Sequence, residues 1–561
     1  MSKLQLRSLW KSPLCLYVLV AVVILLPLLK RGYVLTLDMV FTPHIAVPAS
    51  SAPTYPLYGV LHLLNTFIPA DILQKILLVT IITLTGWGMH RLVATEKPAS
   101  TSINWDVICT FAGLLYIFNP FTYSRFMAGQ YLVLLGYALL PFFIRVTSDF
   151  LKKPGVFRAA HMAVWLALIG AVSVHTVGFA VLLAFCLTTA AVIAHIRDKI
   201  WLLGVLRGLV SALGLTLLLS SYWILPFFFG HSASADMVRS FTDSDRLAFA
   251  TAGEGWGRIW NIVTLQGFWA DNRSLYMTAR EVYGTWWIWF MVLFGLVGIG
   301  LVSQWRAHKV AVITGGLAFL LSVGAACGSD ATIFAPINRW ITDILPVYAG
   351  YREPQKFVAI IALVYAYFAA FGLGTLWQMA VQSKKNIQQH QVKAAAVLLP
   401  ILLSPLMLWG FHGQLAARQY PADWFAMNQR LQDVRGKVLF LPWHQYMRFD
   451  FAGRVIANPG DAFFDAHLIS SSDPELRGLT NWPQSSAQQA IGGRILPQAA
   501  SGSQTMGVQL QKYDIQYVLL AKEYDYKKYD YLDKQADLHV VKDTAHLRLY
   551  EVRTTIDGAE N

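Results

Sequence analysis

Asp38 stands in the stretch Leu35-Thr-Leu-Asp-Met-Val-Phe-Thr-Pro-His, just after a long apolar run. A carboxylate so near a bilayer is costly unless it is wet, paired or functional. Partial burial raises a carboxyl pKa and suits the group to accept a proton. The competing role is structural: a cap for the segment that begins near Phe41, or a pair with Arg31. His44, six residues on, is a candidate for the same cavity, although a lone histidine is more often a hydrogen-bonded polar side chain.

A second constellation is Tyr348-Ala-Gly-Tyr-Arg-Glu-Pro-Gln-Lys-Phe. Arg352 and Lys356 are four apart and, if helical, face one site. Pro354 suits a first helical turn, where its missing N–H is harmless. A helix start offers free amide N–H groups and a positive dipole end. Two cations there suit an anionic headgroup or a phosphate ester, which arginine binds in a directional, bidentate manner. The alternative is surface pairing of Glu353 with Arg352 or Lys356. A third group, Glu254, Arg258, Asp271, Arg273, Arg280 and Glu281, contains possible substrate-binding residues in Glu254, Arg258, Arg280 and Glu281. Glu254 and Arg258 are spaced to pair on one turn, and Arg280 and Glu281 precede Trp286, Trp287 and Trp289. The alternative for this group is a salt-bridge network with an aromatic belt. No His/Cys/Asp/Glu set has structural-zinc spacing. A divalent metal is compatible with the sequence but not indicated, and no other cofactor is indicated. There is no Walker A loop and no G-x-G-x-x-G fingerprint, which argues against ATP-driven transport by this chain alone.

The elements that must hold these residues follow from composition. The chain has 561 residues, 55% hydrophobic and 14% charged, against about 25% charged in soluble domains. Such an apolar surplus is covered by lipid, and the 19 Trp and 24 Tyr suit bilayer interfaces. The formal charge of +13 comes from scattered basic residues, so a topology signal explains it better than nucleic-acid binding. About eleven transmembrane helices are expected, near 12–30, 72–90, 103–118, 128–147, 159–174, 176–195, 205–225, 282–303, 309–327, 356–380 and 394–410. The fifth and sixth are separated only by a turn around His175. The first helix is expected to be retained rather than cleaved as a signal peptide.

With the N-terminus inside, the cytoplasmic pieces carry Lys3, Arg7 and Lys11, then Arg91 and Lys97, Lys152, Lys153 and Arg158, Arg197 and Lys199, Arg306 and Lys309, and Lys384, Lys385 and Lys393. The acids gather on the other side, which therefore holds the polar chemistry. Three outer loops, 31–71, 226–281 and 328–355, are too long for simple turns. The first contains a mildly amphipathic stretch from Tyr55 that suits the membrane interface. Residues 1–410 thus read as a transmembrane domain and 411–561 as a small extracytoplasmic α/β domain. The latter contains sixteen Lys/Arg and seventeen Asp/Glu. Its strand-like runs are Lys437–Leu441, Ile515–Leu520, Leu538–Val541 and Leu547–Val552, the last two forming a hairpin. Cys15, Cys109, Cys186 and Cys327 lie in or beside apolar runs, so no structural disulfide is expected.

An acidic residue in the first outer loop, many helices, long outer loops and an exported C-terminal domain together resemble the GT-C class of polytopic membrane glycosyltransferases. The likeness is to the group with bacterial arabinofuranosyltransferases and mannosyltransferase-like proteins. The resemblance implies that Asp38 serves as general base or orients the acceptor, and that Arg352 and Lys356 hold the donor phosphate. Asp38 stands alone rather than in the adjacent acidic pair that some members carry. The implied reaction is transfer of a sugar from a polyprenyl-phosphate-linked monosaccharide to an exported glycan, glycolipid or protein acceptor, with inversion. It implies a bacterial cytoplasmic (inner) membrane location, membrane lipid as a partner and no nucleic acid. The rival readings are a glycolipid transporter or flippase, and a noncatalytic subunit of envelope glycan assembly.

Overall fold

The structure, a computed structural model, describes residues 12–98, 101–230, 232–271, 273–330, 332–382, 389–475 and 484–553. Lys3, Arg7, Lys11, Lys384 and Lys385, used in the charge reading, lie outside the described residues. The chain is a polytopic α-helical membrane protein with a β-containing C-terminal domain. Among the described residues, seven helices are long and apolar enough to cross a membrane: Ala70–Ala94, Tyr131–Lys152, Val174–Ala194, Lys199–Leu219, Trp286–Gln304, Lys309–Cys327 and Pro354–Gln382. Two bent pairs raise the number to nine if each is one span. The expectation of about eleven is therefore met for seven to nine. The remaining two segments are shorter apolar helices, Pro13–Leu29 and Val156–Val172.

The bends have local causes. Trp105–Ile117 and Pro120–Met127 meet at 40°. Proline removes a helical hydrogen bond, clashes with the preceding turn and disfavours helical backbone at the residue before it. Asn119 is extended (φ −151°, ψ 157°), and its side chain caps the second helix by accepting from the Thr122 amide at 3.0 Å. The last apolar segment, expected as one span over 394–410, bends by 83° between His390–Leu403 and Pro405–His412. Pro405 starts the second part, and Trp409 and Phe411 lie in left-handed backbone. The break between the fifth and sixth segments falls at extended Ser173, not at His175, which is already helical.

Two membrane helices touch backbone to backbone. A Cβ on Gly300 would run into the carbonyl of Phe368, and one on Gly372 into the carbonyl of Leu296. Each pair is spaced four residues apart on its own helix, so the two glycines form reciprocal notches. Small residues at such crossings let helices gain dispersion contacts that lipid cannot supply. This contact anchors the helix that begins at Pro354 and carries Lys356.

The strands are β1 Tyr33–Val34, β2 Ala417–Arg418, β3 Lys437–Leu441, β4 Tyr446–Phe449, β5 Arg454–Ala457, β6 Leu468–Ile469, β7 Ile515–Ala521, β8 Leu538–Asp543 and β9 Leu547–Val552. The four strands read from the sequence are present, and β8 and β9 pair as an antiparallel hairpin. The main sheet runs β6-β3-β7-β9-β8, with β6, β3 and β7 parallel. Alternate residues of a strand face opposite ways, so both faces of β3 are buried. Val438 and Phe440 pack with Trp424, Phe449 and Phe463, while Leu439 and Leu441 pack with Ile491, Ile495 and Tyr550. The four cysteines are free thiols.

Gly372→Ala is expected to lower the thermal unfolding midpoint in detergent, by about 1–3 kcal/mol of overpacking. Gly298 has open space where a Cβ would stand, so Gly298→Ala is the matched control and should show no loss. Equal midpoints for the two variants would contradict the close crossing.

Candidate functional site

Asp38 sits at the tip of a tight turn. Thr36 and Met39 exchange backbone hydrogen bonds (3.1 and 2.7 Å), and the Asp38 amide donates to the Ala128 carbonyl at 3.1 Å. Thr36 Oγ1 donates to the Met127 carbonyl at 2.6 Å. The opposing backbone turns at Gly129 (φ +75°), where a Cβ would strike Met39 N and Thr36 O. Only glycine suits both that conformation and that approach. The turn is also tied to the C-terminal domain: β1 pairs with β2, and the Ala457 amide donates to the Leu37 carbonyl at 2.8 Å.

Two side chains reach the Asp38 carboxylate. Tyr446, the first residue of β4, donates its hydroxyl to Oδ1 at 2.7 Å, and Gln130 Nε2 lies 3.5 Å from Oδ2. Solvent reaches the Asp38 side chain, but protein crowds it on the remaining sides, so it lies in a wet recess. That crowding raises its carboxyl above the ordinary value; the Tyr446 bond lowers it in part, and the nearby Glu353 charge raises it again. Neither a cap for Phe41 nor a pair with Arg31 forms.

The same Gln130 amide donates to Glu353 at 3.2 and 3.4 Å. Glu353 is buried, 6% exposed, and holds two cations: Arg125 Nη1 at 2.7 Å and Lys356 Nζ at 3.5 Å. The alternative reading, pairing of Glu353 with Lys356, does form, but in the interior rather than at the surface. Arg125 is fully buried. It also donates to Gln130 Oε1 at 2.7 Å and to Gln355 Oε1, and stacks over Phe268 at 4.3 Å. Lys356 Nζ is 3.2 Å from His175 Nε2, so His175 belongs to the cluster as well. Burial alone would raise the Glu353 carboxyl, but Lys356, Arg125 and Arg352 together hold it well below the usual carboxylate range.

Arg352 lies between two short 3₁₀ segments, Pro346–Tyr351 and Pro354–Phe357, rather than within one α-turn with Lys356. Its guanidinium lies over the rings of Phe249 (4.3 Å) and Phe241 (4.8 Å). Burial lowers its pKa, while Glu353, Tyr446 and Asp38 each act to raise it. Asp38, Arg352 and Lys356 thus fall in one electrostatic neighbourhood.

The other candidates are placed differently. His44 is exposed and makes no side-chain hydrogen bond to Asp38. Glu254 and Arg258 do not pair, because Gly255 and Gly257 between them take positive φ (74° and 97°) and the helix begins only at Arg258. Arg258 instead binds Asp330 at 2.7 Å. Glu281 caps the short helix Ala279–Val282 by accepting from the Thr278 amide at 2.8 Å. Arg280 donates to Gln266 (2.8 Å) and Asn261 (2.9 Å) and lies over Trp286. The Gln266 carbonyl in turn accepts from Gln355. This second loop braces the ion cluster through Gln266 and Gln355. Among the described residues, no group of three or more His, Cys, Asp or Glu side chains is arranged to hold a metal ion.

Arg125, Gln130, Gln355 and Tyr446 were missed by sequence reasoning. Arg125 offered a signal: it lies in Pro120-Phe-Thr-Tyr-Ser-Arg-Phe-Met, a lone charge between apolar runs. Away from this polar cluster, an apolar cavity of about 360 Å³ is lined by Val297, Gly298, Leu301, Gly315, Phe319 and Val364. Val364 is eight residues along the helix from Lys356, roughly 12 Å at an α-helical rise.

Removing one partner of a buried ion pair typically costs about 3–5 kcal/mol. Glu353→Gln leaves Arg125 and Lys356 uncompensated and should lose stability of that order in thermal unfolding. The folded-state pKa of Glu353 is depressed, so its contribution is complete above the ordinary glutamate value of about 4.3. It is lost as pH falls through the folded value. The variant should lack that acid-dependent loss; an unchanged acid profile would contradict the assignment.

No protein-family model matches the chain, and no curated protein matches it. Solved structures do. The arabinofuranosyltransferase AftD from mycobacteria aligns with a TM-score of 0.61 at 14% identity, over 97% of this chain and 40% of that one. A structure of an AftD mutant aligns with a TM-score of 0.59 at 13% identity, over 97% and 42%. The chain spans about two fifths of the length of AftD, and it shares with that protein a polytopic GT-C-like fold.

Proposed function

We propose that the chain transfers a sugar from a polyprenyl-phosphate-linked monosaccharide to an exported glycan, lipid or protein acceptor. The observation that carries this reading is the continuous polar chain from Tyr446 through Asp38 and Gln130 to Glu353, with Arg352 and Lys356 beside it. On this reading the proton acceptor and the anion-attracting groups act within one electrostatic neighbourhood. Asp38 takes the acceptor hydroxyl proton as that oxygen attacks the anomeric carbon. Arg352 and Lys356 neutralise charge developing on the departing phosphate. Direct displacement inverts the anomeric centre.

The apolar cavity beside Val364 suits an isoprenoid tail whose phosphate lies at the Lys356 end of the helix. On this reading the two shorter apolar helices also cross the membrane, giving eleven spans. The segment after 410 then lies outside with the first and third long loops. A lipid-linked donor fits that side, which cytosolic nucleotide sugars do not reach. The AftD fold supports the same reaction class.

The test is transfer of radiolabelled sugar from a polyprenyl phosphate in membranes containing the protein. Asp38→Asn should lower the rate by ~10²–10⁴, and Arg352→Gln or Lys356→Gln by ~10²–10³. Full transfer by Asp38→Asn would sink the base assignment.

The pH profile gives a separate reading. Because the Asp38 carboxyl is raised, activity should climb with pH along a limb above about pH 4, the ordinary aspartate value. The Tyr446 bond lowers Asp38, so Tyr446→Phe should move that limb to higher pH. A limb that stays in place would show that the two groups do not interact in the working enzyme.

A further inference from the structure

The C-terminal sheet has a polar cluster of its own, at the place where open α/β sheets bind ligands: beyond the carboxyl ends of parallel strands. Three neighbouring strands, β6, β3 and β7, run parallel, and the segments that follow them converge. His444, after β3, places Nδ1 2.5 Å from Glu475, after β6, and Nε2 3.2 Å from Asp525, after β7. Ionised carboxylates only accept hydrogen bonds, so both contacts require the imidazolium, which donates from each nitrogen. Asp525 also pairs with Lys528 at 3.1 Å. The two cations and two carboxylates balance, so the cluster carries no net charge to select an ion. It does present acceptor oxygens beside aromatic rings. Tyr524 meets His444 edge-on at 5.3 Å and is 62% exposed. Trp443 is half-buried next to it in sequence.

Neutral charge, oriented hydrogen-bonding groups and an exposed aromatic ring suit a hydroxyl-rich neutral ligand. The position is equally specific. His444 is two residues from Tyr446, which donates to Asp38. Two residues span at most about 7 Å, so an oligosaccharide bound over His444 is long enough to reach the Asp38 recess.

We infer that Trp443, His444, Glu475, Tyr524 and Asp525 form a glycan-binding subsite that holds an oligosaccharide acceptor beside Asp38. The word acceptor rests on the transfer reading above; the binding itself does not. Tyr524 supplies a stacking face, and Glu475 and Asp525 accept from sugar hydroxyls while His444 fixes their orientation. The three loops are thereby locked to one another in the same arrangement that sets the start of β4.

The experiment is calorimetric titration of the full chain in nanodiscs with neutral hexasaccharides of arabinofuranose, mannose and glucose. At least one should bind, with its Kd raised tenfold or more in Tyr524→Ala and in Glu475→Ala. Lys527→Ala, an exposed neighbour, should bind as the parent does. Failure of all three hexasaccharides to bind, or equal affinity in Tyr524→Ala and Glu475→Ala, overturns the subsite. Binding with these losses, combined with full transfer by Asp38→Asn, supports the subsite while removing the base assignment.

Discussion

The buried ion cluster around Glu353 is the constraint on which the rest of the site depends. Taking a carboxylate and two cations out of water carries a penalty of several kcal/mol per ion, which close geometry and extra hydrogen bonds must offset. Here Glu353 accepts from Arg125 and Gln130 and pairs with Lys356, and Arg125 also donates to Gln130 and Gln355, while its Nε has no hydrogen-bond partner among the described residues. These residues come from the helix Pro120–Met127, the turn after it, the third long loop and the start of the helix through Lys356. Once the cluster forms, those elements have little freedom to slide, and the turn that carries Asp38 is held against them through Ala128 and Gly129.

The C-terminal domain is fixed to this assembly by contacts of several kinds. The first loop is hydrogen-bonded to it at β1–β2, at Leu37, at Thr42 through the Ala462 carbonyl and at Phe41 through the Tyr420 hydroxyl. Arg454 reaches the carbonyls of Gln414 and Leu275. A domain held this way contributes a wall to the recess. Tyr446 is the part of that wall that touches Asp38, so the recess exists only when the domain is docked.

How far the sequence could be read depended on the range of each interaction. Apolar runs are local signals, so the long helices and the strands β3, β7, β8 and β9 were legible, and so was a carboxylate stranded after an apolar run at Asp38. The bend at Asn119–Pro120 lay in the sequence as a proline but was taken for the gap between two spans, which concealed Arg125. The Glu254–Arg258 pairing followed from four-residue spacing, and the glycines at 255 and 257 removed the helix that such spacing presupposes. The Tyr446–Asp38 contact joins residues 408 apart. No local pattern encodes a partner at that distance. The shared helix turn expected of Arg352 and Lys356 is absent, since Arg352 precedes the 3₁₀ segment that holds Lys356, yet both act on Asp38 electrostatically, with anchored Glu353 between them.

The two carboxylates of the site lie in opposite environments, and this separates their roles. Glu353 is dry but surrounded by cations, which hold it ionised. Asp38 is reached by solvent, crowded by protein and bonded chiefly to a neutral phenol, and its carboxyl is raised. Environments that push two titratable groups apart assign them different work. A carboxylate paired with two cations and held by the charge of a third is a poor base, because protonating it would strand those charges. Glu353 therefore acts as a fixed counter-ion that keeps Lys356 and Arg125 charged and in place. Asp38 binds a proton more readily and can release it to the water in its recess, so the base proposed above is the less strongly paired of the two.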